Sequence, residues 1–206
     1  MKPFWENEYL NKEKSTFGNP SKEVEDIVPF LPEGAKILDV GCGDGRHALY
    51  LAGLGFQVDA FDISKNAIEK INYLKERNNL NINTYMCDVL EFEFKYKYDV
   101  IIVHGVLQFI EREKQPKIIE LLKKWTSING YHIIALFTDE EPVPEDLKDV
   151  MIGVFKNGEI KDYYMDWKIK MFESKKFNDE HKNGIKHCHA MNKIVAQKLI
   201  DGSANE

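Results

Sequence analysis

The chain has 206 residues, of which 28 are lysine or arginine and 34 are aspartate or glutamate, giving a formal net charge of −6. A composition with 43% hydrophobic and 30% charged residues is typical of a globular protein and excludes a disordered chain. The length favours one domain, over residues 1–200. Because only three of the cationic residues are arginines, we do not expect a nucleic-acid partner.

Neither a membrane segment nor a disulfide framework is predicted. The longest apolar runs, such as residues 133–137, are far shorter than the roughly 20 residues that a membrane helix needs. The N-terminus lacks the apolar core of a signal peptide. Cys42, Cys87 and Cys188 are too few and too scattered for a disulfide framework or a CxxC zinc site. We therefore expect a cytoplasmic protein with reduced thiols and no membrane partner.

The first twenty residues are polar, with the spaced aromatic side chains Phe4, Trp5, Tyr9 and Phe17. This pattern predicts an N-terminal arm or lid over residues 1–20, and packing of the aromatic side chains on the sheet edge is an equal alternative. A helix is predicted from Ser21, a favourable N-cap residue, to about residue 30. Residues 201–206 are small and polar, and we expect a frayed tail there.

Strand and helix signals alternate through the middle of the chain. Apolar runs predict strands at residues 36–40, 56–61, 83–87, 98–103 and 131–137, and helical spacing predicts helices at residues 46–54, 65–78 and 116–125. Such a succession of units predicts an α/β sheet that is largely parallel. Residues 164–177 and 187–198 instead flank Asn183-Gly184, a strong hairpin turn, so we expect the sheet to end in an antiparallel hairpin.

A glycine-rich turn joins the first predicted strand to the following helix, in the stretch ILDVGCGDG at residues 37–45. In an open α/β sheet this turn lies at the carboxyl ends of the strands, where ligands bind. The third glycine of a dinucleotide G-x-G-x-x-G motif is replaced by Arg46, and a Walker Gly-Lys-Ser/Thr ending is absent. Asp39 suits a cationic ligand better than a phosphate, because a carboxylate accepts hydrogen bonds from an ammonium group.

Two further acids follow the next two predicted strands. Asp62 comes about 20 residues after the turn, where a carboxylate can accept both hydroxyls of a ribose. Asp88 follows the third strand and could accept a hydrogen bond from an adenine amino group, with Ile63 or Val89 packed on the ring. The three acids thus predict a site for a cationic nucleoside.

Together these motifs resemble the class I S-adenosylmethionine-dependent methyltransferases over about residues 30–198. The resemblance implies a Rossmann-like three-layer sandwich, with a seven-stranded, mostly parallel sheet ending in an antiparallel hairpin. It also implies S-adenosyl-L-methionine as the cofactor, with the glycine turn and residues 104–106 near its methionine part. The cofactor-binding residues expected on this basis are Asp39, Gly41, Cys42, Gly43, Asp62, Ile63, Asp88, Val89 and His104.

A narrower resemblance is to the tellurite-resistance methyltransferases, through residues 5–9, 45–46, 106–110, 129–131 and 155–167. It implies methyl transfer to a small acceptor, either a tellurite- or selenite-type oxyanion or a thiol. In those proteins a histidine followed by a basic residue precedes the final strand and is thought to assist the reaction. His181-Lys182 occupies that place, with lysine instead of arginine, which makes His181 the catalytic candidate.

The C-terminal part of the chain is basic, since residues 156–198 contain ten lysines and six acidic residues. We expect this part to attract an anionic small-molecule acceptor, through lysines such as Lys182 and Lys186. His187 and His189 share one face of a strand, but no further ligand is signalled nearby, so no metal is predicted. Two alternatives stay open: a non-catalytic module that binds S-adenosylmethionine, and a nicotinamide-dependent oxidoreductase.

Overall fold

The computed structural model describes residues 5–180 and 186–199. Its strands are β1 (Lys36–Val40), β2 (Gln57–Asp62), β3 (Ile82–Met86), β4 (Tyr98–His104), β5 (Thr126–Phe137), β6 (Lys168–Glu180) and β7 (Lys186–Gln197). Its α-helices are α1 (Trp5–Glu8), α2 (Lys22–Ile27), α3 (Arg46–Gly53), α4 (Lys65–Arg77) and α5 (Gln115–Lys124). Short 3₁₀ turns occur at Val28–Phe30, Leu107–Phe109, Glu145–Leu147 and Glu159–Tyr164.

All seven strands form one sheet in the order β3-β2-β1-β4-β5-β7-β6. Strands β1 to β5 pair in parallel, and β7 is antiparallel to both β5 and β6. The chain order reverses at β1, which is the place where an open α/β sheet leaves a crevice for a ligand. The expected seven-stranded, mostly parallel sheet with a terminal antiparallel hairpin is confirmed.

Side-chain alternation along the strands divides the core into two layers, one on each face of the sheet. Ile37, Val100 and Ile133 pack with α2, α3 and α4 on one face. Leu38 and Ile101 face the other side, where α5 and the 3₁₀ turn at Glu159–Tyr164 cover the sheet. Adjacent residues of a strand point to opposite faces, and both faces here are apolar, so the central strands are buried on both sides. The three-layer α/β architecture is thereby confirmed.

The connection from β3 to β4, residues 87–97, contains no helix. Aromatic side chains cover the sheet there instead: Phe92 stacks on Phe61 with ring centroids 4.4 Å apart, and Phe94 stacks on Trp125 at 5.3 Å. The hairpin also starts later than predicted, since β6 begins at Lys168. The preceding residues form a 3₁₀ turn that buries Tyr164 in the core.

The arm after α1 crosses the carboxyl edge of the sheet and is anchored to α4. The Asp44 carboxylate accepts hydrogen bonds from the Lys70 ammonium at 2.9 Å and from the backbone amide of Thr16 at 2.6 Å. Lys70 also donates to the carbonyl of Lys14. Both side chains of the Asp44–Lys70 pair are almost fully buried. A buried pair of this kind fixes the arm over the glycine turn.

Several expectations concern segments other than residues 5–180 and 186–199. His181, Lys182 and the predicted turn Asn183-Gly184 lie outside the described residues, as does the tail at residues 201–206. Among the helices that are described, none has the length and apolar character required to cross a membrane.

Candidate active site

A cavity of about 1230 Å³ opens at the carboxyl ends of the first four strands and continues over one face of the terminal hairpin. Parallel strands bring their carboxyl ends to a common edge, which is why residues far apart in sequence meet there. Nine residues expected from the sequence to contact a cofactor line this cavity: Asp39, Gly41, Cys42, Gly43, Asp62, Ile63, Asp88, Val89 and His104.

The glycine turn brings bare backbone to the cavity wall. Gly41 has a φ of +60°, and a Cβ atom there would lie 2.5 Å from the Val106 side chain. Gly43 has a φ of +54°, and its Cβ would lie 3.0 Å from the Tyr9 hydroxyl. Both positions need glycine because of their left-handed backbone, and the missing side chains let a ligand approach the turn closely.

Asp62, the last residue of β2, ties the glycine turn to the second strand. Its carboxylate accepts hydrogen bonds from the backbone amide of Gly43 and from the backbone amide of Ser64, each at 2.8 Å. Burial raises the pKa of Asp62, while these amide donors oppose the rise. Each carboxylate oxygen retains a lone pair for a further donor, such as a hydroxyl group in the cavity.

Asp39 presents an unsatisfied carboxylate oxygen. The side chain is 1% exposed, and its Oδ2 has no hydrogen-bond partner among the described residues. Burial raises the pKa of Asp39 to about 7, although the positive charge of Arg46 opposes the rise. A buried acceptor without a partner is rare in folded proteins, so a donor brought by a ligand would satisfy it.

Cys42 lies between the two glycines and is buried. Burial raises the pKa of its thiol well above the ordinary value, and the carboxylates of Asp39 and Asp62 raise it further. Because the thiolate is the nucleophilic form of cysteine, this residue stays an unreactive thiol that contributes packing to the turn.

The far end of the cavity is suited to a flat apolar ring. Ile63, directly after β2, is 73% exposed, which is unusual for a large apolar side chain. Asp88 and Val89, which follow β3, line the same cavity. The Oδ1 atom of Asp88 accepts a hydrogen bond from the backbone amide of Leu90, which fixes the carboxylate at the start of the β3–β4 connection.

At the opposite end, a buried network of charged side chains surrounds His104. Its Nδ1 lies 3.0 Å from Arg46 Nη2 and its Nε2 lies 3.2 Å from Glu23 Oε1. Since a guanidinium can only donate, Nδ1 is the acceptor and Nε2 carries the proton. The other Glu23 oxygen accepts from Lys193 at 2.8 Å. Burial lowers the pKa of His104, which favours the neutral imidazole, as does the hydrogen bond that Nδ1 accepts from Arg46.

Three members of this network were not expected from the sequence as site residues. They are Glu23, Arg46 and Lys193. In the structure Glu23 is 5% exposed and pairs with Lys193. A charged residue at a buried strand position, such as Lys193 among apolar neighbours of β7, is the signal that could have identified the pair.

The arm supplies a wall of aromatic side chains. Trp5, Tyr9 and Phe17 all line the cavity, and Tyr9 is buried. Arg46 donates a hydrogen bond to the Phe17 carbonyl, which joins the arm to the first turn of α3. The aromatic side chains of residues 5–20 therefore form part of the cavity and do not merely pack on an edge of the sheet.

Comparison with known proteins places the chain in one family. The family model described as "Tellurite resistance protein TehB" matches residues 4–194. The TehB protein of Haemophilus influenzae strain Rd, described as a probable S-adenosyl-L-methionine-dependent methyltransferase, is 35% identical over 164 residues, covering 79% of this chain and 55% of that protein. The chain thus spans about half the length of the curated relatives that it matches.

Solved structures agree in fold. The crystal structure of TehB from Haemophilus influenzae superimposes with a TM-score of 0.80 at 30% identity, covering 94% of this chain and 67% of that chain. The N-methyltransferase NodS from Bradyrhizobium japonicum, solved with S-adenosyl-L-homocysteine, superimposes with a TM-score of 0.65 over 94% of this chain and 96% of that chain. Its identity is 15%, so it supports the fold alone.

Proposed function

The chain belongs to the TehB tellurite resistance family, and we propose on that premise that it is an S-adenosyl-L-methionine-dependent methyltransferase. We further propose that its acceptor is a small anion or thiol, of the tellurite, selenite or reduced-chalcogen type. The family relationship supports the reaction class, and the shape and charge of the cavity support the cofactor. The single observation that carries the cofactor proposal is the buried oxygen of Asp39 beside the glycine turn, for which the described part of the chain supplies no hydrogen-bond partner.

The residues of the cavity fit each part of the cofactor. Asp39 would accept a hydrogen bond from the ammonium group, beside the bare backbone of Gly41 and Gly43. Asp62 would accept the ribose hydroxyls through its remaining lone pairs. Asp88 would accept from the adenine amino group, and Ile63 and Val89 would cover the ring. This assignment places the methionine end next to His104.

When bound, the cofactor supplies a methyl group on a positively charged sulfur, which leaves as a neutral thioether once the acceptor's lone pair has bonded to the carbon. Positioning can provide most of the acceleration for such a displacement. Both ring nitrogens of His104 are already engaged, Nδ1 by Arg46 and Nε2 by Glu23, so no free lone pair is left to accept a proton and the residue shapes the wall. A thiolate or reduced chalcogen needs no strong base, which suits this chemistry.

The cofactor proposal is tested by isothermal titration of the purified chain with S-adenosylmethionine, S-adenosylhomocysteine and NADH. We expect the two sulfur nucleosides to bind and NADH not to bind. Asp39→Asn should weaken both about 10- to 100-fold, because hydrogen bonds to charged groups contribute about 1.5–3 kcal/mol. Glu91→Gln, on the loop just after Asp88, is the matched control and should bind as the wild type does. Binding of NADH alone would instead indicate the oxidoreductase.

The acceptor proposal needs a separate assay, in which methyl transfer is measured against small thiols, selenite and tellurite. Turnover of at least one of these acceptors supports the enzyme, and formation of S-adenosylhomocysteine in equal amount checks the stoichiometry. Tight cofactor binding without turnover of any acceptor would instead favour a non-catalytic binding module. His181, which lies outside the described residues, remains the proposed catalytic side chain, and His181→Ala should lower kcat without changing cofactor affinity.

A further inference from the structure

The hairpin wall of the cavity contains a cluster of three metal-binding side chains. Asp179 of β6 and His187 and His189 of β7 each present a ligand atom, and these atoms all lie within 4.8 Å of one another. The two imidazole Nε2 atoms are 2.8 Å apart, and Asp179 Oδ2 lies 3.9 Å from His189 Nε2. We propose that these three residues bind a divalent transition-metal ion, such as Zn²⁺, at the hairpin wall of the cavity.

The register of the hairpin creates this cluster. Asp179 is paired directly with His187, and the next pair along the same face is Phe177 with His189. His187 and His189 are two residues apart on one strand and therefore point to the same side of the sheet. The third ligand was not recognised from the sequence because Asp179 meets the two histidines only when the strands pair in this register.

The spacing of the ligand atoms suits a small ion. Zinc binds imidazole nitrogen at about 2.0–2.1 Å, so two nitrogens at a tetrahedral centre lie roughly 3.3 Å apart. The two Nε2 atoms, at 2.8 Å, would separate by about half an ångström, and the Asp179 oxygen would move slightly inward. Side-chain rotations of His187 and Asp179 would provide these small movements.

One ligand is already held in place by packing. His189 is almost fully buried, and its ring stacks on Phe137 with centroids 4.4 Å apart and an interplanar angle of 8°. Phe177 packs on it as well, at 5.4 Å. Since aromatic neighbours lock the imidazole plane, the Nε2 atom is aimed at the cluster before a metal arrives, as an effective metal site requires.

The composition of the ligand set indicates which metals and what role to expect. Two imidazoles and one carboxylate favour zinc, nickel, cobalt or iron over magnesium or calcium. Three protein ligands leave a coordination position open, which is typical of catalytic and not of structural sites. Asp179 and His189 both line the cavity, so a molecule in the cavity can reach that position. Binding of the anionic acceptor there rests on the proposed methyltransferase function, whereas metal binding itself does not.

The test is a titration of the chelator-stripped chain with Zn²⁺ in competition with a chromophoric chelator, and with Co²⁺ followed by visible absorption. We expect one ion per chain and the intense absorption of four-coordinate Co²⁺. Removing a residue that only hydrogen-bonds to a metal ligand typically lowers the metal affinity 10- to 100-fold. His187→Ala and His189→Ala, which remove ligands themselves, should therefore weaken binding by at least about 100-fold, and Asp179→Asn by at least about tenfold.

Two variants serve as matched controls. Glu173 is on the same strand and face as Asp179, with nearly equal side-chain exposure, but six residues away. Cys188 points to the opposite face of the hairpin from its two histidine neighbours. Glu173→Gln and Cys188→Ala should therefore bind Zn²⁺ as the wild type does. Absence of stoichiometric binding, undiminished binding in the histidine variants, or an equal loss in Cys188→Ala would each overturn the site.

Titration of every variant with S-adenosylhomocysteine separates this inference from the proposed function. Variants that lose the metal and keep the nucleoside place the metal site outside the cofactor pocket, as proposed. If the wild type bound Zn²⁺ at the three residues and did not bind S-adenosylhomocysteine, the proposed function would fail while the metal site stood.

Discussion

Each end of the cavity is held in place by hydrogen bonds, and the two ends differ in how far apart in sequence the bonded residues are. At the glycine turn, Asp62 binds the backbone amide of Gly43, only 19 residues earlier in the chain. At the hairpin end, Glu23 binds Lys193, which is 170 residues away. The first end is therefore set by one strand–turn–helix unit and its neighbour, whereas the second forms only when α2 meets the final strand, β7. Stability should be more sensitive at the second end, and cofactor affinity at the first.

The largest effect is expected from Glu23→Gln, which removes the charge that compensates Lys193. Breaking a buried ion pair leaves an uncompensated charge and typically costs about 3–5 kcal/mol. The free energy of unfolding, measured with urea, should fall by about this amount. Glu25→Gln, at an exposed position of the same helix, is the control and should change little. An equal loss in both variants would show that the long-range contact does not hold the hairpin end.

This difference in sequence separation also explains which features of the fold and of the site could be predicted from the sequence. The parallel sheet, the hairpin and the acids at the carboxyl ends of β1, β2 and β3 follow from alternating patterns and from residues close together in sequence. The pairing of Glu23 with Lys193 and the meeting of Asp179 with His187 depend on strand register and on helix docking, which local pattern does not determine. The stacking of Phe92 and Phe94 in the connection after β3 was also not predicted, because aromatic contacts in a loop have no periodic signal.

The next effect concerns the pH dependence of cofactor binding at the first end. Burial raises the pKa of Asp39 to about 7 in the free protein, so a proton must leave before the carboxylate can meet an ammonium group. Below pH 7 the ionised fraction falls tenfold per pH unit, and affinity for S-adenosylhomocysteine should fall about tenfold from pH 6 to pH 5. Isothermal titration at these pH values measures the change, and Asp39→Asn should remove most of it.

The stability of the free protein should depend on pH in the opposite direction to the cofactor affinity, and should decrease as pH rises. Asp39 has a folded-state pKa above the unfolded value of 3.8, so between about pH 4 and pH 7 the folded state holds a proton that the unfolded state has lost. The contribution of this residue to stability therefore decreases as pH rises through that interval. Asp39→Asn should gain stability relative to the wild type over the same range, and a constant difference would show that Asp39 has an ordinary pKa.

The smallest effect is expected from single lysines at the hairpin end, because each is partly in water. Lys175 lines the cavity and Lys186 is exposed beyond it, so the two lysines differ in position and not in charge. If the acceptor is an anion, Lys175→Gln should raise its KM by about two- to fivefold and leave kcat unchanged, since a partly solvated charge attracts only weakly. Lys186 was expected from the sequence to attract the acceptor, but it does not line the cavity, so Lys186→Gln should leave both constants unchanged. The KM difference should shrink in high salt, where surface charges are screened. A rise in KM for Lys186→Gln alone would place the acceptor's approach at the tip of the hairpin instead of over its face.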